Sequence, residues 1–302
     1  MATVLVLGVG GILGEAWMWG YLGGAQRATG EDFRHAKQLI GTSAGSIVAA
    51  RLAGGEDPRR GEESVHWDGE VEAEERPNVL RSALERASRI SLGAFSPLAA
   101  PALSAASPGG ALARAAVLAR VPAGRIGLDD LRSRVDALGP RFDGRLRVVA
   151  VDRGSGRRVA FGAEGAPEAS VADAVAASCA IPGYFAPVEI GGREYVDGGV
   201  WSPTNLDLAR AGRRDRVLCL VPTAALGSSS PAIALRSLAA GWRLATSVEA
   251  AAARRRGATV EIVGPDAGSA HAMGGDLMNP GRRPAVLAEG FRQGAQAARP
   301  SP

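Results

Sequence analysis

Apolar positions along the chain fall into two patterns: short unbroken runs and longer stretches with a helical period. Thr3 to Leu7 is a continuous apolar run rich in β-branched residues, as expected of a strand buried on both faces. Glycines follow, then a helical pattern from about residue 14 to residue 27. Gln38 to Ile40 reads as a second strand and Ala44 to Leu52 as a second helix. Strand, glycine turn, helix, strand, tight turn, helix is how a parallel α/β sheet opens. Further strands are expected at Leu146 to Val151, Arg158 to Phe161, Arg216 to Val221 and Thr259 to Val263. Helices are expected at Ser170 to Cys179, at Ala232 to Arg256 with a break near Gly241, and at Pro284 to Ala298. Ser170 with Asp173 three residues on resembles a capping box. The fold class predicted is α/β, a mostly parallel central sheet with helices on both faces.

Between Gly54 and about Pro140 the strand pattern vanishes, and Pro, Ala and Ser dominate its later part. This predicts a helical insertion or cap over residues 55–140, set within a single domain spanning 1–302. No internal repeat or linker divides the chain.

Composition refines this picture only in places. Aromatic residues make up 5% of the 302, so the core must be built from Ala, Val, Leu and Ile. The formal charge is +4, carried almost wholly by arginine, with Lys37 the one lysine. No arginine run is dense enough to argue for nucleic acid. Arg254-Arg255-Arg256, the densest, closes a helix before Gly257, where cations suit the helix C-terminus. Arginine also grips phosphate, which keeps transient contact with a membrane or micelle surface open as a partner. Cys179 and Cys219 supply neither a disulfide framework nor a zinc pattern. The first residues lack the cationic segment and cleavage site of a signal peptide, and no apolar run reaches the ~18 residues of a membrane span. A cytoplasmic protein, peripheral to membrane at most, is the expectation.

Gly8-x-Gly10-x-x-x-Gly14, between the first strand and helix, has a dinucleotide-binding look. That chemistry wants an acidic residue closing the second strand to hold the ribose. Here the second strand runs instead into Gly41-Thr42-Ser43-Ala44-Gly45, the spacing of a nucleophile elbow. In a parallel sheet, residues 10–11 and residue 43 reach the same carboxyl edge. The glycine turn can then aim backbone N–H groups at an oxyanion rather than a pyrophosphate. A serine hydroxyl needs a base. The candidates are His35, His66, His271 and Asp197, the last delivered by Tyr195-Val196 into Gly198-Gly199. Ser43, Asp197, His271 is also the chain order of an α/β-hydrolase triad.

Four segments in order, Val9-Gly10-Gly11-Ile12-Leu13-Gly14, Gly41-Thr42-Ser43-Ala44-Gly45, Ala177-Ser178-Cys179-Ala180-Ile181-Pro182 and Asp197-Gly198-Gly199, resemble the patatin-like phospholipases. The resemblance covers about 1–55 and 145–210. It implies a parallel α/β sheet between helices, a Ser43–Asp197 dyad without histidine, and hydrolysis of lipid acyl esters, so the partner is a lipid or ester substrate. Gly10 and Gly11, with Ala44 added, are the expected oxyanion hole, and no metal or cofactor is required. The family's first loop glycine is Val9 here and its loop arginine is Leu13. Where the family has Asn-x-Pro after the dyad aspartate, this chain has Trp201-Ser202-Pro203-Thr204-Asn205.

Overall fold

A computed structural model describes residues 2–59, 108–225 and 233–297. Its strands are β1 (Ala2–Leu7), β2 (Gln38–Thr42), β3 (Leu146–Asp152), β4 (Arg158–Phe161), β5 (Val188–Ile190), β6 (Arg193–Asp197), β7 (Asp215–Leu220) and β8 (Thr259–Val263). They hydrogen-bond in the order β5-β6-β3-β2-β1-β7-β8, and β4 also pairs with β3. The pairs β1–β2, β1–β7, β2–β3 and β7–β8 are parallel, whereas β4, β5 and β6 join antiparallel. The sheet is therefore mixed but mostly parallel at its centre.

The helices are α1 (Gly11–Thr29), α2 (Ala44–Ala53), α3 (Pro108–Arg120), α4 (Asp129–Ala137), α5 (Val171–Cys179), α6 (Ile233–Arg255), α7 (Ala267–Met273) and α8 (Arg283–Ala297). Alternation along the strands divides the core between the two faces of the sheet. Leu5, Leu7, Leu39, Val148 and Leu220 pack against residues of α1, α2, α4, α5 and α8. Val4, Val6, Ile40, Val149 and Val217 point the other way, onto Ala250 and Ala253 of α6. On that second face Leu118 of α3 also meets Val151 and Val196. Both faces are covered, which is why the central strands read as unbroken apolar runs.

Register explains how the sheet makes a site. Thr42, the last residue of β2, lies opposite Val149 of β3, and Asp197, the last of β6, lies opposite Ala150. The other edge of β3 is occupied by β4, through Val149↔Ala160 and Ala150↔Val159. β2 and β6 therefore share one edge of β3 and run toward each other. Their C-terminal ends meet head to head.

Some boundaries differ from expectation. The long helix α6 passes through Gly241 without a break. Helix α1 starts at Gly11 rather than near residue 14, because Gly11 turns the chain with φ +60°. The β5–β6 hairpin turns at Gly191 and Gly192, both at positive φ, and was not anticipated in full. The stretch around His271, where the sequence pattern predicts no element, is helix α7. Of the expected insertion, residues 60–107 lie outside the described residues. Its later part supplies α3 and α4, one to each face of the sheet.

Helices α1 and α8 touch backbone to backbone. A Cβ on Gly20 or Gly24 would fall within contact of the Leu287 or Phe291 carbonyl, and one on Gly294 within contact of the Tyr21 carbonyl. Two spaced glycine pairs, Gly20 with Gly24 and Gly290 with Gly294, thus do on each helix what small residues do wherever helices approach closely. Gly24→Ala should cost about 3 kcal/mol in urea unfolding, the upper part of the overpacking range, despite the helix propensity gained. Gly212→Ala, with open space around its position, should leave the midpoint unchanged. Equal midpoints for the two variants would refute the close packing.

Candidate active site

The chain leaves β2 and enters α2 with a single residue between them, Ser43. It holds φ +53° and ψ −124°, a backbone state that non-glycine residues adopt only when their surroundings impose it. The surroundings are specific. The Ser43 N–H donates to Ser178 Oγ at 2.8 Å, and the Ser178 hydroxyl donates to the Val149 carbonyl at 2.6 Å. The Ser43 carbonyl accepts from the Ser46 N–H at 2.8 Å and from its hydroxyl at 2.6 Å. The flanking glycines are required by close approach. A Cβ on Gly41 would meet Ser46 and Gly45 backbone, and one on Gly45 would collide with the Leu7 carbonyl at the end of β1.

Asp197 arrives from the opposite direction. Its N–H donates to the Ala180 carbonyl at 3.0 Å, just past α5. One carboxylate oxygen accepts the Gly199 N–H at 2.7 Å, and the Ser43 side chain lies close enough to pull the carboxyl pKa down. Both residues are buried, 6% exposed for Ser43 and 5% for Asp197. Burial pushes the Asp197 pKa up to about 6, against the pull of the nearby Ser43 side chain and of the Gly199 hydrogen bond.

Gly10 and Gly11 lie at the N-terminus of α1, beside this meeting point. Gly11, Ser43 and Ala44 line one cavity together. Gly10 is not part of that lining; it is buried against Gly14 and Pro222, where a Cβ would come within 2.9 Å of three of their carbon atoms. The remaining wall is mostly apolar, with Ile12, Ile47, Leu131 and Phe185 among its residues. The N-termini of α1 and α2 both open toward Ser43, so their dipoles favour negative charge there.

A sequence profile of the patatin-like phospholipases matches residues 5–210. The chain belongs to this family. No curated protein sequence matches it significantly. The solved structures that match include two at low identity. One is VipD from Legionella pneumophila, with 16% identity and a TM-score of 0.43 over 98% of this chain and 66% of that one. The other is the type III effector protein ExoU, with 15% identity and a TM-score of 0.38 over 98% of this chain and 52% of that one. The chain thus spans less than two thirds of either.

Two departures from the patatin pattern find local explanations. Leu13, where the family has arginine, is fully buried in the core, and its N–H donates to the Leu277 carbonyl at 3.0 Å. The segment Trp201 to Asn205 is a brace across the sheet edge. The Pro203 carbonyl accepts the Val9 N–H at 2.9 Å, and the Asn205 side-chain amide donates to Thr42 Oγ1 at 3.1 Å. Asn205 takes the left-handed conformation, and Glu249 of α6 accepts from the Thr204 hydroxyl and the Leu206 N–H. Ser178 had a signal in the sequence, since it sits inside a family segment. Asn205 and Glu249 had none.

The histidines lie apart. His35 is exposed and pairs with Asp32 before β2, at the opposite edge of the sheet from Ser43. His271 is exposed on α7, and His66 lies outside the described residues. Among the described residues no group of His, Cys, Asp and Glu could hold a metal ion, and no helix is long and apolar enough to cross a membrane.

A carboxyl whose pKa is raised on folding favours the folded state most when protonated. Stability therefore falls as pH rises from below the ordinary 3.8 through about 6. Asp197→Asn keeps an acceptor for Gly199 and removes the buried charge. At pH 8 it should be more stable than the parent by about 1–3 kcal/mol, and the gap should close as pH falls toward 4. Paired thermal melts at the two pH values test this; an unchanged gap would mean that the carboxylate carries no desolvation cost.

Proposed function

We propose that the chain is a serine acyl hydrolase that cleaves carboxylic esters of lipids through a Ser43–Asp197 dyad and an acyl-enzyme. The observation that supports this reading is the head-to-head meeting of the ends of β2 and β6 on β3, which sets a buried serine in a strained turn beside a buried carboxyl of raised pKa. Family membership supplies the lipid class of the substrate.

Ser43 Oγ attacks the ester carbonyl while its proton passes to Asp197. The carbonyl oxygen becomes an oxyanion facing the N–H groups of Gly11 and Ala44, with Gly10 contributing from the same turn. Among the described residues none of these three N–H groups has a protein acceptor. Collapse expels the alcohol, which takes the proton from Asp197. Asp197 then draws a proton from water, and the water cleaves the acyl-enzyme to release the carboxylic acid and free Ser43. A base within hydrogen-bond reach makes a histidine intermediary unnecessary. Transient contact with a lipid surface belongs to the same reading.

Ser43→Ala should abolish both p-nitrophenyl ester hydrolysis and fluorophosphonate labelling, and Asp197→Asn should abolish hydrolysis. His271→Ala should leave kcat within a few-fold, whereas a triad member would cost on the order of 10⁴. In the parent, kcat/KM should drop as pH falls below about 6, where Asp197 takes up its proton. A loss of triad size in His271→Ala would overturn the dyad.

Gly11→Ala is the corresponding test of the oxyanion donors. At φ +60° a Cβ is strained, and it would sit 2.8 Å from Met278 Sδ and 2.9 Å from the Leu277 carbonyl. A fall of about 10²–10³ in kcat with little change in KM is expected. Near-parental kcat would assign the oxyanion to other donors.

A further inference from the structure

We propose that the cavity beside Ser43 measures acyl chains, accepting about eight carbons and ending at the buried Glu15–Arg51 ion pair; this rests on the serine hydrolase reading. The cavity follows the groove between α1 and α2. Both helices start at the reacting edge and follow parallel strands, so they run alongside each other away from Ser43. On α2 the lining residues are Ala44, Ile47 and Arg51; on α1 they are Gly11, Ile12 and Glu15. Helix α4 closes the side with Leu131 and Val135. It ends beside the end of α2, where a Cβ on Gly54 would lie 3.1 Å from the Leu138 carbonyl.

The far end is charged and fastened from several directions. Arg51 Nη1 donates to Glu15 Oε1 at 2.6 Å and its Nε to Glu56 Oε2 at 2.5 Å. Its guanidinium lies 3.6 Å from the Trp19 ring centre, and Arg283 donates to the other Glu15 oxygen at 3.1 Å. Arg51 and Glu15 are 2% and 6% exposed. A methyl terminus that pushed further would have to separate a buried ion pair, which is strongly unfavourable.

The length follows from helix geometry. From Ala44 to Arg51 α2 advances seven residue steps, about 10 Å at 1.5 Å each. An extended chain of ~1.5 Å carbon–carbon bonds advances about 1.3 Å per carbon, so about eight carbons fit. Each methylene buried against the apolar wall should raise kcat/KM about fourfold until the ion pair is reached.

The test is a series of p-nitrophenyl esters from acetate to palmitate, assayed below their aggregation limits on the full chain, with Ser43→Ala as the blank. The expected result is a rise in kcat/KM to about octanoate, then a plateau or fall by decanoate. Ile47→Phe, which adds bulk one turn beyond Ser43, should lower the octanoate-to-acetate ratio at least tenfold. A Ser43-dependent rate that is flat with chain length, or that keeps climbing to palmitate, overturns the ruler and leaves the hydrolase reading standing. Absence of hydrolysis at every length, together with no fluorophosphonate labelling of Ser43, overturns both. If Ile47→Phe fails to fold by circular dichroism, the parental series alone decides.

Discussion

The site depends on one edge of β3. Its first half pairs with β2 and its second half with β6, and the two partners run in opposite directions. Two chain ends are thereby brought within a residue of each other by ladder hydrogen bonds alone. The turn at Ser43 and the carboxyl of Asp197 need no flexible loop to find one another; the register of the sheet sets their separation. Ser178 reinforces the arrangement by linking the Ser43 N–H to the Val149 carbonyl, the β3 residue opposite Thr42.

That placement has an energetic cost. A carboxyl that would ionise freely in water is held away from it, with the Gly199 backbone N–H as a hydrogen-bond donor and the Ser43 side chain beside it. The surrounding framework is stiff enough to carry the burden. The segment after Asp197 is braced to Val9, Thr42 and Glu249, so the three motifs are linked to each other as well as to the sheet. Active sites commonly trade stability for reactivity in this manner.

Much of the fold was legible because buried parallel strands and glycine turns leave strong local marks. The Arg158–Phe161 and Thr259–Val263 strands have the boundaries their apolar patterns indicate, and Ser170 accepts the Asp173 N–H as its spacing suggests. The unread parts are those where local pattern and tertiary context part company. A glycine inside a helical run implies a break, yet α6 continues through Gly241 because cooperative helix hydrogen bonding tolerates one poor residue. The stretch around His271 is rich in small residues and looks irregular, yet Asp266 caps it through the Ser269 N–H and it forms a helix. The spacing of Ser43 and the setting of Asp197 were visible in the sequence. Their proximity was not, because it depends on β6 lying antiparallel along the second half of the same β3 edge that β2 occupies in its first half. Asn205 and Glu249 are ordinary polar residues whose importance exists only once the 198–208 segment has folded across the edge.

The contact between α1 and α8 has a consequence for the order in which the site comes into being. The Gly10–Gly11 turn is made early in synthesis, but what holds it arrives late: Leu277 accepts the Leu13 N–H, Met278 packs on Gly11, and Gly290 and Gly294 seat against the backbone of α1. Contacts between distant parts of a chain form slowly and only after the intervening residues are available. A ribosome-bound chain would carry Ser43 and Asp197 before it carried the residues that support the Gly10–Gly11 turn. The Gly10–Gly11 turn would thus gain its support only when α8 had docked against α1.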